Sequence, residues 1–369
     1  MRTEAPFNHG TPQKTAVLMV NLGTPDNADA PSLRRYLKQF LSDPRVVEIP
    51  KLIWWLILNL IILQVRPKKS AAKYATVWTP EGSPLLAFTV RQGRMLSEGF
   101  KARNMDVHVE VAMRYGNPSV HSRMDSLRAS GYDRILVLPM YPQYAAATTA
   151  SAMDAVFEWA KPVRNLPELR FVKHYHDHPA YIYALAESVR RHWQANGRPD
   201  FDRGDMLVMS FHGVPEMTLK KGDPYHCECY KTGRLLAEAL GLSKEQFKVT
   251  FQSRFGKAKW LEPYTDQTLK ALGQKGVKRI DLMCPGFMAD CLETLEEINQ
   301  EGREDFQHAG GGDFHYIPCL NDSDLARAMV TEIAMQHLQG WPVDGGYIAA
   351  QASELDKSRQ MALALGAEK

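Results

Sequence analysis

VLMVNLGTP, residues 17–25, returns in altered form as LVMSFHGVP at 207–215. Each is an apolar run that ends in a Gly and a Pro two positions apart. Two more echoes follow in the same order: MRYG (113–116) with SRFG (253–256), behind the runs VHVEVA and KVTFQ, and DRILVLP (133–139) with KRIDLMCP (278–285). Three echoes in series indicate a duplicated unit. Helical patterns lie between them. In APSLRRYLKQFLS (30–42), Leu33, Tyr36, Leu37, Phe40 and Leu41 share one face and Pro31 sits in the first turn. HDHPAYIYALAESVRRHW (176–193) has a Pro-led start of the same kind. Short strands alternating with helices predict an α/β fold, in which each of two similar domains is a parallel sheet flanked by helices. The expected units run 14–170 and 171–337, with 338–369 as a C-terminal tail.

In such folds ligands bind beyond the carboxyl ends of the strands. NLGTP, MRYGNP, MYPQY, SFHGVP, FQSR and CPGFMAD all fall there, so the expected site is a cleft between the two domains. The halves differ in one respect. From Gly23 to Arg114 the chain runs 91 residues, but from Gly213 to Arg254 only 41. The surplus, around residues 50–90, contains LIWWLILNLIIL (52–63), in which eleven of twelve residues are apolar. That run is shorter than the roughly 20 apolar residues a membrane span needs. Buried core, an oily wall around a ligand, and a surface resting on lipid are the readings open to it.

The bulk properties exclude several classes. Net charge is +3 with scattered basic residues, which leaves no nucleic-acid footprint. The five cysteines (Cys227, Cys229, Cys284, Cys291, Cys319) are odd in number and confined to the second half, unlike a secreted disulfide framework. The first fifteen residues carry no apolar targeting region. A cytoplasmic protein with reduced thiols is the expectation. Neither G-x-G-x-x-G after a strand nor a P-loop Lys motif is present, which disfavours nucleotide chemistry.

Four groups of residues carry candidate chemistry. His212 closes an apolar strand, where an imidazole can take a proton or bind a metal; a hydrogen-bonded turn histidine is the alternative. In CPGFMADCLETLEEINQEGRED (284–305), the spacing predicts a helix from near Asp290 with Glu293, Glu297 and Glu301 along one ridge. Such a row is either a solvated face or a path for divalent cations or protons. HYHDH (174–178) alternates three histidines, but no carboxylate or cysteine stands at compatible spacing, so a metal site is not assigned. Cys227-x-Cys229 alone makes neither a zinc ribbon nor an iron–sulfur set. Arg114, Tyr115, Tyr141, Tyr144, Ser253, Arg254 and Trp260, at the remaining loop ends, suit a flat, apolar, anionic ligand.

In order along the chain, VNLGTP, FLSDPRV, AMRYGNP, MYPQY, SFHGVP, FQSRFG…W and PGFMADCLETLEEI closely resemble the ferrochelatase family. The likeness runs from about Val17 to about Leu338. It implies two Rossmann-like domains of the chelatase type around a porphyrin cleft, and a lyase that inserts ferrous iron into protoporphyrin IX to form protoheme. By the same resemblance His212 and Glu293 are the catalytic, iron-binding and proton-accepting pair, with Asp290, Glu297 and Glu301 on a proton or metal path. Arg114, Tyr115, Tyr141, Ser253 and Trp260 then contact the macrocycle, and Arg66 and Tyr74 lie on its lip. The 52–63 run becomes a lip with peripheral contact to the inner membrane. Some relatives carry His where this chain has Cys291, and some hold a [2Fe–2S] cluster through a cysteine-rich tail. Here no cysteine follows Cys319, so the expected metal is the substrate iron alone. The rivals are a chelatase loading cobalt or nickel into another tetrapyrrole, and a porphyrin carrier without catalysis.

Overall fold

The echoing runs become strands of two separate sheets, the first and third pairs inner and the second pair at an edge. The computed structural model describes residues 1 and 7–368. In the first sheet, β1 (Lys14–Thr24), β2 (Val107–Gly116), β3 (Tyr132–Pro139) and β4 (Glu168–Phe171) lie in the order β2-β1-β3-β4. In the second, β5 (Met206–His212), β6 (Phe247–Gln252), β7 (Arg279–Met283) and β8 (Asp313–Ile317) lie in the order β6-β5-β7-β8. All pairings are parallel. The three sequence echoes therefore fall on equivalent strands.

Parallel sheets are covered on both faces, so their inner strands are apolar throughout. Ala16 to Val20 in β1 are fully buried, as are Leu207, Val208, Met209 and Phe211 in β5. Alternate side chains go to different cores. Val17 and Met19 join Leu207, Met209 and Phe211 in one cluster that spans both halves. Ala16, Leu18 and Val20 pack outward against Met124 and Trp159. Val208 turns the other way, towards Leu269, Ile298 and Phe306. The helices Pro84–Lys101 and Tyr225–Leu240 follow β1 and β5, and each meets its edge strand through a glycine. A Cβ on Gly93 would stand 2.6 Å from Val111 Cγ2, and one on Gly233 2.5 Å from Val249 Cγ2. The same close approach in both halves is a further mark of the repeated unit.

The surplus in the first half forms a long helix that packs on the helix before it. Ala30–Ser42 is capped by the Asp29 carboxylate, which accepts from Ser32 N at 2.7 Å. Its buried face (Leu33, Tyr36, Leu37, Leu41) packs on Leu58, Leu63 and Tyr74. The apolar run does not form a helix of its own. It opens a continuous helix, Lys51–Ile57 then a π turn Leu58–Ile62 then Leu63–Val77, which runs on through the buried Pro67. Leu58 and Leu63 are buried, while Leu52 (77% exposed), Ile53, Trp55, Leu56, Leu60 (63%), Ile61 and Val65 face outward. Among the described residues no helix is long and apolar enough to cross a membrane. Residues 338–368 turn back to the first half, where Asp106 N donates to Val343 O at 2.7 Å.

Candidate active site

β5 ends at His212, and the turn after it is built around the imidazole. His212 Nδ1 lies 2.6 Å from the Gly213 carbonyl oxygen. A proton on Nδ1 makes that bond and leaves the Nε2 lone pair free. The next residue has to be glycine: a Cβ at Gly213 would stand 2.6 Å from the Gln252 carbonyl oxygen and 3.1 Å from the Trp260 ring. Trp260 is buried beneath this turn, beside Phe255, and the Phe287 ring lies 6.5 Å from the imidazole.

The acidic row differs from its expected form. Glu293–Gly302 is a π-helix, not an α-helix begun at Asp290. The i→i+5 hydrogen bonding widens the turn, a feature frequent at functional sites. Glu296 and Glu301, which five α-helical residues would send to different sides, converge on Lys73 of the lip helix at 2.8 and 2.7 Å. Glu297 is left to the β5–β6 side, while the Glu293 carboxylate faces Tyr36, Tyr74 and Cys291. Gln252 Nε2 donates to the Glu293 carbonyl oxygen at 2.8 Å. Ser253 donates to Glu297 from both its backbone N and its Oγ, each at 2.6 Å. It does so from a left-handed backbone (φ 65°), uncommon outside glycine. Asp290 stands ahead of the helix, buried, its carboxylate taken by Thr294, Tyr316 and Asn321. The single ridge read from sequence is thus split in three.

Electrostatics tie His212 to this row. The Glu297 carboxyl is pushed above its usual range, first by burial; Ser253 and His212 pull it down, and the charge of Glu293 pushes it up. His212 and Glu293 therefore act on one carboxyl. Burial raises the Tyr36 and Tyr74 hydroxyls well above their usual range, and the charge of Glu293 adds to both. The Cys291 thiol is pushed up by burial and then by Glu293, which keeps it protonated. Glu297 and Glu301 also line a cavity of about 410 Å³ with Asp266 and Asp305.

On the opposite side, Arg114 and Tyr115 share a buried network. Arg114 Nη2 and Tyr115 OH both donate to Asp43 Oδ2 at 2.8 Å, and Arg114 Nε donates to Ser151 Oγ at 2.7 Å. Burial opposes the Asp43 charge, yet Ser151, the Arg45 N–H, Tyr115 and Arg114 hold its carboxyl below the usual range. The Tyr141 hydroxyl is buried without a partner among the described residues. Arg66 lies over the Phe255 ring at 5.6 Å, with burial lowering its basicity.

The family model for ferrochelatase matches residues 14–360. Curated ferrochelatases are 59% identical: one from a Polaromonas species over 99% of this chain and 98% of its own length, and one from Methylibium petroleiphilum over 95% and 96%. The chain belongs to the ferrochelatase family. Ferrochelatases are porphyrin metal chelatases, lyases that place iron in protoporphyrin during heme synthesis, and this chain is one of them. A solved structure of SirB from Bacillus subtilis with Fe3+ shares the fold at 13% identity (TM-score 0.50, 89% of this chain and 96% of that one).

Within this ferrochelatase the structure brings His212, Glu293, Glu297, Ser253, Trp260 and Tyr74 into one neighbourhood with residues not singled out from sequence as site residues. Tyr36 was read only as part of a helix face. Gln252 and Asp43 stood inside FQSR and FLSDPRV without a role of their own, since each acts through a partner distant along the chain: Gln252 on Glu293, Asp43 on Arg114. Lys73 shows one usable cue, a cation one residue before Tyr74 in the insertion.

Proposed function

We propose that His212 and Glu293 carry the metal insertion, with Glu297 and then Glu301 as the route for protons or iron behind them. A free-base porphyrin keeps two inner N–H protons, and both must leave as ferrous iron enters. With Nδ1 committed to the Gly213 carbonyl, the Nε2 lone pair of His212 is the acceptor for one of them. Glu293 receives protons or holds the arriving iron, a hard-to-borderline cation for which carboxylate and imidazole are fitting ligands. The Glu297 carboxyl, raised by burial, takes up a proton more readily than an ordinary glutamate, and the acidic cavity at Glu301 and Asp305 opens beyond it. The single observation that carries this assignment is that Gln252 joins the two stretches, its carbonyl accepting from Gly213 N beside His212 at 2.8 Å and its Nε2 donating to the Glu293 carbonyl oxygen at 2.8 Å. Tyr141, with its unpartnered hydroxyl, and Arg66, without an acidic partner among the described residues, are the groups to meet the macrocycle and its carboxylates. Arg114 and Tyr115 take part through Asp43 and Ser151, and Ser253 acts chiefly by holding Glu297. The deciding experiment is anaerobic: purified protein with ferrous iron and protoporphyrin IX, followed by the absorbance change of metallation. Turnover is expected with iron and protoporphyrin IX; a protein that binds porphyrin without metallating it would be a carrier instead.

The outward face of the lip supports a second part of the proposal: peripheral contact with the inner membrane by an otherwise cytoplasmic enzyme that has no iron–sulfur cluster. Leu52, Trp55, Leu56, Leu60 and Ile61 make a contiguous apolar surface, flanked by Lys51, Lys68 and Lys69. Aromatic and aliphatic residues beside lysines suit an interfacial helix on anionic lipid. Trp55→Glu with Leu60→Glu is expected to lower co-sedimentation with anionic liposomes by about tenfold or more, each exposed apolar side chain contributing about 1.5–3 kcal/mol when fully buried. Unchanged sedimentation would remove the membrane contact from the proposal.

A further inference from the structure

The histidines of HYHDH do not lie along a strand. β4 stops at Phe171, and His178 instead caps the helix Pro179–Asn196, accepting from Ala180 N at 3.2 Å. His174 and His176 turn towards the second half of the molecule. There they meet the carboxylate that the local sequence lacks: Glu228, in the first turn of the helix Tyr225–Leu240. We propose that His174, His176 and Glu228 form a site for a divalent cation of the zinc class, separate from the iron-insertion centre.

The candidate ligand atoms already lie close together. His174 Nδ1 lies 2.6 Å from Glu228 Oε1, and His176 Nδ1 lies 3.2 Å from Glu228 Oε2. One ligand atom from each residue lies within 4.8 Å of the others. Zinc holds nitrogen and carboxylate oxygen at about 2.0–2.2 Å, so its ligands sit a little over 3 Å apart. Small shifts suffice. The second observation is chemical: His176 is only 5% exposed, yet its Nδ1 makes no hydrogen bond, since its approach to Glu228 is in range but poorly directed. Buried polar atoms are rarely left so. A cation between the rings and the carboxylate satisfies that atom and the Glu228 charge together.

The surroundings suit a metal. Outer contacts fix the ligands: Tyr144 N donates to Glu228 Oε2 at 2.7 Å, and Thr232 Oγ1 donates to the His176 carbonyl oxygen at 2.8 Å. The nearby cation Lys231 is paired with Asp177 at 2.5 Å, which offsets its charge. His174 is 39% exposed on its side chain, so a fourth position is open to water. Two imidazoles and one carboxylate favour zinc, cobalt or nickel over magnesium or calcium, which take oxygen ligands. The second group of this kind, His192, Asp281 and His315, is different. There Arg279 and Trp193 already donate to Asp281, and the place of a cation is filled. The proposed ion would pin the segment after β4 and the β3 loop to the second half.

The test uses the full chain carrying His212→Ala and Glu293→Gln, which removes the ligands proposed for the insertion centre, after treatment with EDTA. Zn2+ is titrated by calorimetry and Co2+ by visible absorption. One equivalent of Zn2+ is expected, with a four-coordinate Co2+ spectrum. Adding His174→Ala, an exposed position that keeps the fold, or His176→Ala should weaken Zn2+ binding at least tenfold and abolish that spectrum. Zinc should also raise Tm in the parent and not in these variants. Zn2+ affinity unchanged by His174→Ala, or absence of any Zn2+ equivalent in the folded parent, would overturn the site.

Discussion

His212→Ala is expected to slow iron insertion by about 10²–10⁴-fold, the usual cost of removing a positioned proton acceptor, while protoporphyrin still binds. The imidazole is placed by a single hydrogen bond from Nδ1 to Gly213, so its removal breaks no wider network and the turn around Gly213 and Trp260 persists. A purely structural histidine would instead lower stability and porphyrin affinity together. A second readout separates the two. His212 pulls the Glu297 carboxyl down, so the variant should move Glu297 titration to higher pH, towards the limit set by burial. Carboxyl infrared or carbon NMR of labelled glutamate would register it. Insertion within a few-fold of the native rate would remove His212 from the chemistry.

How far the sequence discloses this molecule depends on the range of the contacts involved. The inner strands were legible because burial on both faces writes a continuous apolar run, as at 17–20 and 207–209. The helix at 30–42 was legible from its apolar spacing and Pro31, and its observed bounds agree. The pair β4 and β8 was not, for ELRF and DFHYI are short edge strands that share no pattern. In the site, the candidates stood at strand ends, where the topology predicts function. What the spacing could not convey was the π-helix. Its form follows from partners far away in the chain, with Ser253 and Gln252 on one side and Lys73 on the other. The same holds for Glu228, which stands 54 residues from His174 and turns an unassigned run of histidines into a ligand set.

Glu293→Gln is expected to abolish metal insertion to a comparable extent, about 10²-fold or more, with porphyrin binding largely kept. The amide preserves the size of the side chain and the backbone carbonyl still accepts from Gln252, so the π-helix stays anchored. What is lost is the charge, and with it both a proton acceptor and an anionic ligand for ferrous iron. The sign at Glu297 then reverses relative to the His212 variant: without the negative charge of Glu293, one contribution that raises the carboxyl disappears, and Glu297 should titrate at lower pH. Tyr36 and Tyr74 should follow in the same direction, although burial keeps them neutral at any working pH. Opposite shifts of Glu297 in the two variants would establish that an imidazole and a carboxylate address one proton relay. Shifts of the same sign, or native turnover in Glu293→Gln, would mean that the acidic row is a solvated face and that the protons leave by another way.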